Sequence, residues 1–258
     1  MTNDLIKTKN ILTIAGSDIL SGGGMQADLA TFAHYGLYGF CALTSIVTVH
    51  GDKFYVHAVE EEVFQEELDS LEEIPFSAIK IGLLPNKKIL ELTASFLEKQ
   101  AAPIILDPVI VFKENADYSV NEIRDFFIER LIPLADIITP NLKEAEILVD
   151  FPIKSLDDMK QAAQLLHDFG AKNVVIKGGT RFDDAHAIDL SYDGTSFTEF
   201  SNPVLDKNNN GAGCTFASAI ASTVAQEFSF ENAVKASKDF VYESINNSNE
   251  FGVFQNKK

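Results

Sequence analysis

Positive charge is what this chain of 258 residues lacks most: 21 Lys and Arg stand against 38 Asp and Glu, a formal net charge of −17. Such a surface repels phosphate backbones and argues against a nucleic-acid partner. A nucleotide handled by so acidic a protein needs a bound cation and a few local positive groups. Cysteine is scarce as well. Cys41 and Cys214 lie far apart in sequence, so a disulfide scaffold is not supported and a reducing cytoplasm is the expected setting. There is no run of about 18 apolar residues, hence no expected membrane span. MTNDLIKTKN lacks the apolar core of a signal peptide. Two common nucleotide signatures are missing: the glycines at 22, 23 and 24 do not fit G-x-G-x-x-G, and no G-x-x-x-x-G-K-[ST] occurs. Histidines 34, 50, 57, 167 and 186 show no metal-ligand spacing. Without repeats, low-complexity tracts or linkers, residues 1–258 read as one domain.

What is present is a large apolar fraction, 46%, enough for a sizeable core, and a recurring unit. A short apolar run meets a polar or Gly-rich corner, and a helical pattern follows. ILTIA (11–15) runs into GSD, with a helix from about Gln26. AIKI (78–81) runs into GLLP, with a helix from about Lys87. IIL (104–106) meets Asp107-Pro108, DIIT (136–139) meets Pro140-Asn141, and VVI (174–176) meets Lys177-Gly178-Gly179. The alternation predicts an α/β protein with a mainly parallel sheet covered on both faces. Ser155, with Asp158 three residues on, predicts a capped helix that ends at Gly170. FYVHAVEE (54–61) and AIDLSYDGTSFTEF (187–200) read as antiparallel, the latter turning at Asp193-Gly194. Ligands of such sheets bind outside the carboxyl ends of the strands. Gly16, Asp18, Gly82, Asp107, Asn141, Lys177 and Gly178 are therefore expected to face one crevice.

NNNGAGCTFASAIA (208–221) places flexible glycines before a helix. Gly211 and Gly213 let backbone amides approach a ligand, and the amides of a helix start favour an anion. Cys214 falls in the first turn, where its thiol pKa is expected to drop; the motif alone is equally compatible with a packed, inert thiol. Asn141 and Glu144, three apart at a helix start, suit a hydrated magnesium ion or a cap with a surface Glu. Lys177 reads as a phosphate partner or a solvated lysine before a turn.

In order, LTIAGSD…SGGGMQADL, LTSIVT, IKIGLL, LDPVIV, ITPNLKEAE, VVIKGG and NNNGAGCTFASAIA resemble the ribokinase superfamily over about residues 10–247, in its branch of hydroxymethylpyrimidine kinases and related pyridoxal kinases. The resemblance implies a three-layer sandwich with a mainly parallel central sheet, helices on both faces and small antiparallel edge elements. It implies an enzyme that uses ATP and Mg²⁺ to phosphorylate a hydroxymethyl group on a small aromatic ring. Cys214 takes the position of the general base, which is Asp in most of the superfamily. The amides of Gly211, Ala212 and Gly213 form the anion hole. Lys177 contacts nucleotide phosphates and Gly179 lines the nucleotide site, while Asp107, Asn141 and Glu144 organise Mg²⁺ and its waters. Gly16, Asp28, Val49, Leu83 and Val109 line the ring pocket. A homodimer is implied too, with edge elements near 39–61 as contacts.

Pyrimidine kinases typically carry Gln where this chain has Val49, which cannot read an aminopyrimidine edge, and pyridoxal-type relatives carry an apolar residue there. The preferred substrate is therefore pyridoxal, pyridoxine or pyridoxamine. A hydroxymethylpyrimidine or phosphomethylpyrimidine kinase is the alternative, and a non-catalytic ligand-binding member is a second. Three departures motivate that second reading: Asn210 replaces the usual His, Phe112 stands where a Cys often follows DPV, and the C-terminal NNSNEFGVFQNKK lacks the family's Gly-Pro-rich pattern.

Overall fold

The computed structural model describes residues 8–51, 53–110 and 120–255; Phe112 falls outside them. Numbered in chain order, the strands are β1 (Asn10–Asp18), β2 (Tyr38–His50), β3 (Lys53–Ala58), β4 (Ala78–Ile81), β5 (Ile104–Leu106), β6 (Ile137–Ile138), β7 (Asn173–Lys177), β8 (His186–Tyr192) and β9 (Phe197–Pro203). They form one sheet in the order β3-β2-β1-β4-β5-β6-β7-β8-β9. The six strands from β2 to β7 pair in parallel. β3 pairs antiparallel with β2 at one edge, and the β8–β9 hairpin is antiparallel at the other. The helices are α1 (Gly24–His34), α2 (Glu61–Leu71), α3 (Lys87–Leu97), α4 (Val120–Phe126), α5 (Leu142–Val149), α6 (Leu156–Asp168), α7 (Ala212–Ala225) and α8 (Phe230–Asn246).

Strand period two builds the layers. Leu12, Ile79, Leu106, Ile138 and Ile176 pack with α2, α3, α5 and α6 in one core. Their neighbours Ile11, Ala78, Ile105, Ile137 and Val175 pack with α1, α7 and α8 in the other. The same parity puts Thr13 and Lys80 on the α1/α7 face, although both are polar and fully buried.

Local chemistry sets the boundaries. Ser155 accepts from the Asp158 N–H at 3.1 Å, and α6 is followed by Gly170 at φ +116°. Asp193 Oδ1 accepts from the Thr195 and Ser196 N–H groups, closing the hairpin around Gly194. FYVHAVEE is strand only to Ala58; α2 begins at Glu61. The β1–β2 register shifts between Ala15 and Ser17, a bulge that interrupts pairing at Gly16 before it resumes at Ser17 and Ile46.

Candidate active site

α1 and α7 present their amino ends to one point, and Cys214 sits there. A Cβ added to Gly23, the residue before α1, would lie 3.5 Å from Cys214 Sγ. One added to Gly211 (φ +83°), just before α7, would lie 1.4 Å from the Gly22 carbonyl oxygen, so only glycine lets the two loops touch. The expected drop of the thiol pKa does not occur. Burial pushes the Cys214 thiol above its ordinary value; the Lys80 ammonium pulls it down, Asp107 and Asp28 push it up, and the Gly24 N–H pulls it down. Desolvation of the half-buried thiol outweighs the Lys80 charge and the Gly24 N–H. One of the three amides expected to bind an anion is already engaged. The Ala212 N–H donates to the Asn209 carbonyl at 3.0 Å, which leaves Gly211 and Gly213 of the three expected donors.

Beneath the thiol lies a sealed ion pair. Lys80 Nζ is 2.9 Å from Asp28 Oδ2, and both side chains are 0% exposed. Thr13 donates to Asp28 Oδ2 at 2.6 Å, and Ser218, one turn beyond Cys214 on α7, donates to Oδ1. Asp28 is thus no wall of a ring pocket, as the family resemblance implied; its carboxylate is used up holding Lys80. Burial works against the ammonium, but Asp28, with Cys214 and Asp107 adding, holds its pKa above the usual lysine range. Lys80 is thus held as a cation close to the Cys214 thiol.

A second pair is open. Lys177 Nζ is 2.7 Å from Asp107 Oδ1 with 15% of the lysine side chain exposed. Thr139 donates to the same oxygen at 3.2 Å. Asn141 and Glu144 form a capping box, each side chain accepting from the other's backbone N–H. Glu144 is nevertheless buried rather than a surface group. Burial raises its carboxyl to about 7; Lys177 opposes this and Asp107 adds to it. The Lys177 cation is held against its own burial by Asp107 and Glu144, which raise its pKa. Among the described residues no three His, Cys, Asp or Glu side chains gather into a metal cluster. Two hard carboxylates beside a cleft suit a mostly hydrated magnesium that completes its shell on substrate phosphates.

That cleft has a volume of about 770 Å³ and is lined by Asn141, Lys177, Gly179, Ala212, Gly213 and Phe216, with Val204, Val241, Tyr242 and Ile245 as an apolar wall. A Cβ on Gly213 would stand 3.4 Å from Lys177 Nζ, so the cation and the α7 amino end share its floor. Gly179 has φ +57° and nothing within 4 Å of an added Cβ. Asp189 accepts from the Gly178 N–H at 3.1 Å and from Lys238 at 2.7 Å, fixing that turn.

At the start of α1, where a Cβ on Gly24 would stand 2.5 Å from the Gly16 carbonyl oxygen, the corners of β1, β2 and β4 meet. A Cβ on Gly16 would strike Ser45 Oγ at 2.5 Å and lie 3.4 Å from Leu83 Cδ2. Ser45 Oγ is buried without a hydrogen-bond partner among the described residues. Val49 sits half-buried near the end of β2, opposite Phe54, beyond the end of β1. The Val109 N–H folds back onto the Asp107 carbonyl at 2.8 Å. Lys80, Thr13, Ser218 and Asp189 were missed from sequence. A lysine inside the all-apolar strand AIKI was the one available signal.

The phosphomethylpyrimidine kinase family model matches residues 18–257. The hydroxymethylpyrimidine/phosphomethylpyrimidine kinase of Aquifex aeolicus is 40% identical over 245 residues, 93% of this chain and 96% of that one. The structure of the pyridoxal kinase from Staphylococcus aureus in complex with AMP-PCP and pyridoxal superposes with a TM-score of 0.89 at 37% identity, covering 96% of this chain and 93% of that one. The phosphomethylpyrimidine kinase from Clostridium difficile superposes at 0.77 and 32% identity, covering 91% and 99%. With its mainly parallel sheet and ribokinase-like neighbours, this chain belongs to the phosphomethylpyrimidine kinase family of phosphotransferases.

Proposed function

We propose that the chain is a single-domain, ATP-dependent kinase of the 5-hydroxymethyl group of pyridoxal, pyridoxine and pyridoxamine. The observation that carries the reading is the placement of Cys214 where two helix amino ends meet, with a nucleotide-sized cleft reaching Ala212 and Gly213 beside it and the Gly16–Ser45–Leu83 corner at the start of α1. The higher TM-score to the pyridoxal-bound Staphylococcus aureus kinase than to the Clostridium difficile pyrimidine kinase supports pyridoxal over the pyrimidine. Apolar Val49 points the same way.

In this reading the cleft holds ATP. Lys177 and the Gly211 and Gly213 amides neutralise charge on the γ-phosphoryl group, which suits a reaction that asks mainly for positioning and electrostatics. Asp107 and Glu144, with Asn141 orienting Glu144, would hold Mg²⁺ through water. When bound, the ion supplies charge neutralisation on the phosphates. The substrate oxygen forms its bond to Pγ as the bond to the β-phosphate oxygen breaks and ADP leaves. The hydroxyl proton passes to Cys214 Sγ, which acts as a thiolate base stabilised by Lys80 and the Gly24 N–H. Because the thiol is raised, the active fraction grows with pH.

ADP release tests the substrate assignment, with pyridoxal and with hydroxymethylpyrimidine as alcohols. Higher kcat/KM with pyridoxal is expected; turnover of the pyrimidine alone rejects the assignment, and turnover of neither leaves the non-catalytic reading. The exposed Ile46, Phe54 and Tyr55 near the β3 edge are proposed as the contact of a cytoplasmic homodimer. Sedimentation at a monomer mass would reject it.

A further inference from the structure

Two departures from the family pattern, Asn210 and the C-terminal segment, are one feature in space. Asn210 Nδ2 donates to the Phe251 carbonyl at 2.9 Å, and its own carbonyl accepts from the Val253 N–H at 3.0 Å. Asn208 donates to the carbonyls of Asn249 and Glu250, both at 3.0 Å. Further along, Val253 is 5% exposed and Gln255 donates to buried Thr215, in the first turn of α7, at 3.0 Å. The segment is thus anchored in the core beyond the point where it holds the loop.

The contact is tight. A Cβ on Gly252 would stand 2.8 Å from the Asn210 carbonyl oxygen and 2.9 Å from Gly22 Cα, and one on Gly22 would stand 2.3 Å from Asn210 Nδ2. Three segments therefore meet through glycine: the turn before α1, the turn before α7 and the C-terminal segment. The turn before α7 is exposed at Asn209 and Asn210 and carries a positive-φ glycine at its hinge. Left to itself such a turn is free to move. Amide donors stabilise a transferring phosphoryl group only when they are already in place.

We infer that residues 249–255 strap the turn before α7 in its working geometry, and that Asn210 is the positioning residue through which the strap acts. The inference rests on the proposed role of the Gly211 and Gly213 amides. Asn210 is not among the residues lining the cleft and acts through the Gly211 and Gly213 amides, so its effect falls on kcat and not on KM.

The test uses the full chain with two substitutions: Asn210→Asp, which keeps the shape but removes the N–H donor, and Gly252→Ala, which wedges the strap away. Two readouts are needed. With pyridoxal and saturating ATP, kcat should fall by roughly ten- to a hundredfold, with the KM for pyridoxal unchanged. Without nucleotide, amide exchange at Ala212 and Thr215, whose N–H groups bond Asn209 and Gly211, should quicken in both variants. Wild-type kcat in both variants overturns the positioning role, whatever the exchange shows. Wild-type exchange in both overturns the strap itself. If the unsubstituted chain phosphorylates neither alcohol, the kinase reading fails, while the exchange measurement still decides whether the strap holds the turn.

Discussion

Two lysine–carboxylate pairs, of the same residue types and similar length, lie close to Cys214 and differ in burial. Lys80–Asp28 is 2.9 Å long with both side chains fully buried; Lys177–Asp107 is 2.7 Å long with its lysine reaching the cleft. In the first, every strong partner is internal: Thr13 and Ser218 complete Asp28. Such a pair cannot change partners, so it serves as a fixed positive charge beneath the thiol. In the second, the lysine reaches the cleft, and in the proposed reading it would turn from Asp107 to a phosphate and free the carboxylate for a cation. Burial thus separates a sealed charge from one that the cleft can reach.

The largest expected effect comes from breaking the sealed pair. Lys80→Met leaves Asp28 unpaired in a dry site and should lower unfolding stability by about 3–5 kcal/mol. Lys80→Met with Asp28→Asn removes both charges and should recover most of that loss in urea denaturation. An equal loss in both variants would mean that the pair is not what the site depends on.

Lys177→Met should reverse the balance. Stability should fall by less, because the lysine of this pair is already partly exposed and Thr139 still donates to Asp107, whereas kcat/KM for ATP should fall about 10²- to 10³-fold. Loss of stability matching the Lys80 variant, with ATP kinetics intact, would erase the distinction.

A subtler difference separates the open pair by pH. The Glu144 carboxyl, raised to about 7, binds a cation only when ionised. Apparent Mg²⁺ affinity in the presence of ADP should therefore rise about tenfold from pH 6 to pH 8. The sign follows from protons competing with the cation below the raised pKa. Titration calorimetry should show this rise, and Glu144→Gln should flatten it.

The smallest effect lies away from both pairs. Val49→Gln supplies an amide to read a pyrimidine edge and should shift the kcat/KM ratio toward hydroxymethylpyrimidine by about three- to tenfold. No shift would remove Val49 as a specificity determinant.

Much of this was legible in the chain. Short β-branched runs ending in polar corners placed Asp107, Asn141 and Lys177 around one crevice, because a parallel sheet aligns its carboxyl ends. The Ser155 cap, the Asp193-Gly194 turn and the two antiparallel edges follow from local hydrogen bonding. What was hidden depends on burial. Asp28 reads as a pocket residue until the parity of β1 and β4 brings Thr13 and Lys80 against α1. Cys214 sits at a helix start, which lowers a thiol pKa, but desolvation raises it, and no local pattern reports how desolvated a side chain is. Asn210 was unexplained because its partner, Phe251, lies 41 residues away.

The pH dependence of kcat/KM for pyridoxal, in the unsubstituted chain and in Cys214→Asp, tests most directly that Cys214 takes the alcohol proton. With the thiol above its ordinary value, the rate should climb with pH across the alkaline range. With Asp in its place the climb should move well down in pH, since even a buried carboxyl ionises below a buried thiol. Superimposable profiles for the two proteins would contradict the assignment and put the base elsewhere.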